Sequence, residues 1–378
     1  MRPLLFLLGI LLLLVPEILR VYYIMPFPGS QEDVATDLRQ VNIAYWLHTN
    51  IWWVRLIGLA LIIGPCLHYI RQGNWWKRVA VVVPVALAAT VFYLFNFKFM
   101  ADKMFLPVEQ KAIAPVMLND SNARDLVIAV ERNGDARAYP IELIGYHHQV
   151  LDTIGREPIM VTYCTVCRTG RAFSPIVNGE PETFRLVGMD HYNAMFEDSR
   201  TKSWWRQATG ECIAGPLKGQ LLAEVPSQQM TLAEWSSAHP NTLVLQPDPS
   251  FLDQYAGLED YDEGTIASSL EGRDTASWQP KSWVVGVVHN GQARAYDWSE
   301  LAHHKSIRDT LAGDSIMVSS NQNGLDFSVV AWGTSDRTVT ADGDIEESFW
   351  QQELPAYQEF WHSWRTFHPN TTRYEGKR

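Results

Sequence analysis

Between Pro3 and Pro16 the chain carries no charge. Glu17 and Arg20 follow, three residues apart and able to pair on a helix, and apolar positions resume from Val21 to Met25. A second apolar stretch, Ile51 to Ile70, is interrupted by Arg55 one turn from its start, where a long cationic side chain can snorkel to the interface. A third, Val79 to Phe97, runs 19 residues without a charge, which matches a hydrocarbon core about 30 Å thick. The pattern therefore predicts three transmembrane helices, about 3–25, 51–70 and 79–97, forming a membrane domain over 1–100. No small-residue cleavage site follows the first stretch, so it reads as a retained anchor, not a signal peptide.

Beyond a linker at 101–122 the pattern changes to short apolar runs separated by turns. Asn133–Tyr139 reads NGDARAY and Asn290–Tyr296 reads NGQARAY, 157 residues apart. The same spacing aligns His147 with His304, Asp152-Thr153 with Asp309-Thr310, and Ile159–Val161 with Ile316–Val318. Further on, Ser203–Gln207 resembles Ser348–Gln352, and Trp235–Thr242 resembles Trp364–Thr371. Each copy opens on an apolar run, then Asn-Gly, then ARAY, the signature of a hairpin whose two turn residues take positive φ. Short helices are expected near Ile141–Tyr146, Leu232–Ser237 and Ala356–Trp364. The expectation is a membrane-anchored α+β protein with a β-rich extracytoplasmic body of two degenerate repeats, 123–245 and 282–378, joined by an acidic connector at 246–281.

Composition sharpens this. The chain is 47% hydrophobic and 19% charged with four cysteines, which excludes a disordered chain and a disulfide-stapled miniprotein. Residues 1–103 hold 9 Lys/Arg against 5 Asp/Glu, and the remainder 22 against 37. An acidic body argues against nucleic acid as a partner. The loop 71–78 contains Arg71, Lys77 and Arg78, whereas 26–50 has one base, Arg39, against three acids. Positive loops stay cytoplasmic, so the expected arrangement is an inner-membrane, multi-pass protein with a cytoplasmic N-terminus and a periplasmic or extracellular body. The bilayer is then one partner, and an extracytoplasmic protein meeting the Trp-rich segments is a second candidate.

Copy one alone contains Cys164-Thr-Val-Cys167, whose counterparts are Asn321 and Gly324. The pair follows a strand and precedes another, so it belongs at a hairpin tip. Three readings stand side by side. Cys164 and Cys167 with His147, His148 or His191 form a site for copper or zinc, Met189, Asp190 and Cys212 being further candidates. Alternatively the chain is a thiol-disulfide oxidoreductase in which Cys164 attacks and Cys167 resolves, Arg168 and Arg171 favouring the thiolate. As a third reading, a disulfide staples a structural adaptor. Asn193, Trp205 and Gln207 are candidates to line a ligand pocket. No Gly-x-Ser-x-Gly, His-Glu-x-x-His or dinucleotide fingerprint occurs, so no nucleotide cofactor is expected.

The order of these motifs resembles a known family, the bacterial and archaeal domain of unknown function 3179. The resemblance rests on Asn133–Tyr139, His147 with Asp152–Gly155, Val161–Cys167, Ser203–Gln207, Gly210–Gly219 and Trp235–Thr242. It covers about 123–245 well and the second copy loosely. It implies an exported or membrane-anchored protein and no particular reaction. The family's Cys-Pro-Leu-Cys-Gly is Cys-Thr-Val-Cys-Arg here, and Arg168 stands where a zinc-knuckle turn uses glycine for positive φ.

Overall fold

The structure is a computed structural model describing residues 1–31, 37–321, 324–339 and 345–376, with side chains described outside 334–339 and 345–349. The described chain divides into two compact units, Met1–Leu106 with Phe184–Arg206 and Glu211–Gln220, and the rest.

The first unit contains three long helices, α1 (Arg2–Tyr22), α2 (Arg39–Gln72) and α3 (Trp75–Phe97). All three are long and apolar enough to cross a bilayer. Helix α2 begins 12 residues before the apolar stretch that announced it, because Val41, Ala44 and Leu47 bury a stripe at helical spacing ahead of Ile51. Gly9 and Gly58 let α1 and α2 approach closely: a Cβ at Gly9 would lie 2.8 Å from the Gly58 carbonyl oxygen. The Asn74 side chain caps α3 by accepting from the Lys77 amide.

Phe184–Asp190, Asn193–Asp198, Trp204–Arg206 and Cys212–Ala214 form an antiparallel sheet in this same unit. Its Val187, Met195, Trp204 and Ile213 pack with Ile24, Val41 and Ala44. The two-lobe arrangement expected from the repeats is thereby corrected. These residues, read as part of repeat one, present an apolar face that the helices cover.

Among the described residues the second unit contains four sheets of four or five strands and a two-stranded ribbon. Leu126–Arg132 pairs with Asp135–Pro140 across Asn133 and Gly134, whose φ values are 53° and 78°. Trp283–His289 pairs with Gln292–Asp297 across Asn290 and Gly291, at 45° and 78°. Ile128 faces Tyr139 as Val285 faces Tyr296, and Leu151 faces Met160 as Arg308 faces Met317. The shared motif residues make shared bonds. Tyr139 donates to Asp152 at 2.7 Å and Tyr296 to Asp309 at 3.0 Å, while the Trp235 and Trp364 indoles each donate to a threonine hydroxyl, Thr242 and Thr371, at 2.8 Å. These side chains tie hairpin to neighbouring strand and helix to following turn, so they are fold determinants.

Two helix expectations need correction. Ala356–Phe360 is a strand, because it completes the sheet beside Trp283–His289, and the helix is Trp361–Phe367. Trp298–His304 is an additional helix, equivalent by the 157-residue spacing to Ile141–His147, and both end on a left-handed residue, Lys305 and His148. The copy-two turn opposite the cysteines includes Gln322 and Asn323, which lie outside the described residues.

Candidate functional site

Cys164 ends the strand Glu157–Cys164 and Thr169 starts Thr169–Phe173, so Thr165–Arg168 is the tip of a hairpin. The tip is buried. Tyr261 Oη donates to the Thr165 carbonyl at 2.8 Å, Lys281 Nζ donates to that of Val166 at 2.6 Å, and both cysteines are fully buried. Neither cysteine is in a disulfide. Burial, with Cys164 beside it, pushes the Cys167 thiol well above its usual pKa, the opposite of what a reactive thiolate needs.

The arginines expected to favour a thiolate are engaged elsewhere. Arg168 donates to Gln358 Oε1 at 2.8 Å and to the carbonyls of Tyr261 and Asp262, and it lies 3.7 Å over the Trp283 ring. Arg171 pairs with Glu359 at 2.5 Å and lies over Tyr357. Arg168 holds φ at 54°, so the turn keeps the left-handed conformation without glycine. Arg168→Ala, which keeps that strain and loses the contacts, is expected to melt below Arg168→Gly, the difference being about 1 kcal/mol in denaturant unfolding.

The histidines do not complete a metal site. His147 Nε2 bonds Tyr255 Oη at 2.6 Å, among the rings of Tyr146, Phe251 and Tyr255. His148 is the left-handed cap of its helix, its Nδ1 3.1 Å from the Tyr146 carbonyl oxygen, and burial pulls its pKa down to about 4. His191 lies in the first unit, with Nδ1 2.6 Å from Asp190 Oδ1, and Arg206 Nε is 2.5 Å from the other oxygen. Burial alone would raise the Asp190 carboxyl; bonds from His191 and Arg206 overcome it and hold the pKa below the ordinary range. Among the described residues no three His, Cys, Asp or Glu side chains are placed to hold a metal ion. The Cys-x-x-Cys-plus-His site, for copper or zinc, is therefore corrected. So are its redox and staple alternatives, since both thiols are buried, burial raises the Cys167 pKa, and no disulfide joins them.

Of the residues expected around a pocket, Asn193 and Trp205 belong to the first unit and Gln207 to the second. Asn193 is buried opposite Asp190, and Trp205 donates to Asp198 at 2.9 Å. Gln207 donates to Thr162 Oγ1 and to the Thr169 carbonyl.

A different cluster lies between the three helices. Glu17 of α1 is buried, and its Oε1 accepts from Arg55 of α2 at 2.5 Å. Its Oε2 accepts from Arg20 at 3.0 Å and from Asn96 of α3 at 3.1 Å. The Asn96 amide oxygen accepts from both arginines, at 2.5 Å from Arg20 and 2.8 Å from Arg55. The Glu17–Arg20 pairing is as the spacing implied. Arg55, expected to snorkel, turns inward instead and sits between the rings of Trp52 and Phe92, 4.6 and 4.7 Å from their centroids. Asn96 gave no warning beyond being an amide in the last turn of an apolar helix. A second layer, Arg185 with Glu197 and Asp102, ties the sheet to the chain just beyond α3.

Beside the cluster a groove of about 320 Å³ runs between the helices, walled by Leu13, Leu59, Ile62, Val85 and Ala88, with Glu17, Trp52, Arg55 and Phe92 at one end. From Arg55 to Ile62 it follows α2 for about 10 Å. Glu17 has both oxygens occupied. Among the described residues nothing accepts from Arg55 Nη1, so the guanidinium at the end of the groove keeps a donor to give.

The family model described as Protein of unknown function (DUF3179) matches residues 107–371, well over half of the chain. The chain belongs to the DUF3179 family. The match starts after α3, so the groove lies outside the part that DUF3179 membership covers. No curated protein and no solved structure matches the chain.

Proposed function

We propose that this DUF3179 protein is a three-span protein of the cytoplasmic membrane whose helices hold an anionic amphiphile, the apolar tail in the groove and the head group on Arg55. The observation that carries the reading is a carboxylate bonded at both oxygens beside a guanidinium that still has a donor to give, at the end of an apolar groove. In hydrocarbon such a donor is costly without an acceptor, and an ionisable group there marks a ligand path by default. A lipid phosphate or carboxylate supplies the acceptor, and the tail, already in hydrocarbon, is held by van der Waals packing along the groove.

Orientation follows from the basic loop. With Arg71, Lys77 and Arg78 inside, Glu17, Arg55 and Asn96 lie toward the outer face and the DUF3179 body is extracytoplasmic. The reading is tested by lipid analysis of the full chain purified in mild detergent. The wild type is expected to retain about one equivalent of anionic lipid. Arg55→Leu should lose it and Arg71→Gln should keep it. Equal retention in Arg55→Leu would refute the assignment.

A further inference from the structure

A second groove, of about 310 Å³, lies in the second unit and is unrelated to the helices. Its walls are mixed: Met230, Trp235, Phe327 and Leu354 stand beside the polar Ser227 and Ser328, and Glu131 and Glu353 are at its exposed rim. Among the described residues no Lys or Arg lines it. The Trp235 indole is fixed by the bond to Thr242 and by His239 stacked on it at 3.8 Å, so the aromatic wall is rigid. Glu131 Oε1 accepts from the Gly134 amide at 2.7 Å and Glu353 Oε1 from Gln228 at 3.3 Å. Among the described residues the second oxygen of each carboxylate has no donor.

The chain contains its own comparison. Val288 takes the place of Glu131 in the second copy, where a separate hollow is lined by Val288, Arg294 and His368 and, among the described residues, by no carboxylate. Copy two forms the corresponding strand pair across Asn290-Gly291 with Val288 in this position, so the hairpin does not require the Glu131 carboxylate.

We propose that the Trp235 groove binds a small organic cation with an apolar body, an arylalkylamine or a compound of similar shape. The ammonium sits between Glu131 and Glu353 and the apolar part lies against Trp235 and Phe327. Two carboxylates at the rim select the charge, and the aromatic wall adds area and cation–π attraction.

The probe is phenethylamine, a cation at pH 7, against 2-phenylethanol, its neutral analogue, each titrated by saturation-transfer NMR into the full chain in nanodiscs. Phenethylamine is expected to saturate below ~10 mM and the alcohol to bind about tenfold or more weakly. The Glu131→Gln/Glu353→Gln double variant should lose the difference while melting as the wild type does. Both glutamines keep an acceptor for Gly134 and Gln228, and each single variant should lose part of the effect. Raising the salt should weaken the amine and leave the alcohol unchanged. Equal binding of the two probes, an unaffected double variant, or no saturable binding of the amine by ~10 mM would each overturn the proposal.

Discussion

Replacing Glu17 by glutamine is expected to cost the helix bundle about 3–5 kcal/mol, because it leaves the Arg20 and Arg55 guanidiniums buried side by side with no carboxylate between them. Arg55→Leu is expected to cost no more than about 1–2 kcal/mol, since Glu17 keeps Arg20 and a leucine fits among Trp52, Leu56 and Phe92. The asymmetry is the informative part. Removing the single acid orphans two charges, whereas removing one of two bases leaves a neutral pair. Denaturant unfolding in micelles, with the Glu17→Gln/Arg55→Leu double variant alongside, measures it. The double variant should recover part of the loss, because only Arg20 is then unpaired, and it can still use the Phe95 and Asn96 carbonyl oxygens. Equal costs for the two single variants would mean that the cluster is not the charge-limited network its bonds describe.

Three helices were legible from uninterrupted apolar runs, and the hairpins from Asn-Gly, because both signals are local. The destination of the sheet built from Phe184–Asp190 and its neighbours was not, since a strand's periodicity shows that one face is buried and not by what. The chemistry misled for a related reason. Cys-x-x-Cys at a hairpin tip looks like an exposed ligand pair until the tip is seen to be covered by Tyr261 and Lys281, which lie about a hundred residues further along the chain. Arg168 in place of glycine was the useful warning. A cation too large for a metal knuckle instead became the plug between Tyr261 and Trp283. The Glu17–Arg20–Arg55–Asn96 cluster was half-visible. Each polar residue stood out against its apolar run, but only the antiparallel packing of three helices shows that they meet.

Asp262, in the connector, gives the second large effect. Its Oδ2 accepts from the Leu126 amide at 2.7 Å, while Oδ1 is sealed from solvent without a hydrogen bond. Burial, reinforced by Asp125 and Glu142 and opposed by Arg168, pushes its pKa up to about 7. The unfolded chain titrates this carboxyl near 4, so between about pH 4 and 7 the folded state binds the extra proton. Its stabilising contribution is therefore present at acid pH and is lost as pH rises toward 7. Asp262→Asn keeps an acceptor for Leu126 and removes the charge. The variant is expected to gain on the wild type across pH 4–7, by about 4 kcal/mol, and to hold that gain above pH 7. Melting curves of both proteins from pH 4.5 to 8.5 check it. A stability difference that does not change with pH would mean that the Asp262 carboxyl titrates normally.

The most direct test of the amphiphile reading is to ask where a lipid tail sits. The full chain would be reconstituted with an anionic phospholipid carrying a photoreactive group near the end of one acyl chain, irradiated, and mapped by peptide mass spectrometry. Label is expected to concentrate on the groove residues Leu59, Ile62, Val85 and Ala88, and Arg55→Leu or an excess of unlabelled anionic lipid is expected to remove it. Label spread evenly over lipid-facing positions such as Ile63, Leu67 and Val83, unchanged by Arg55→Leu, would contradict it.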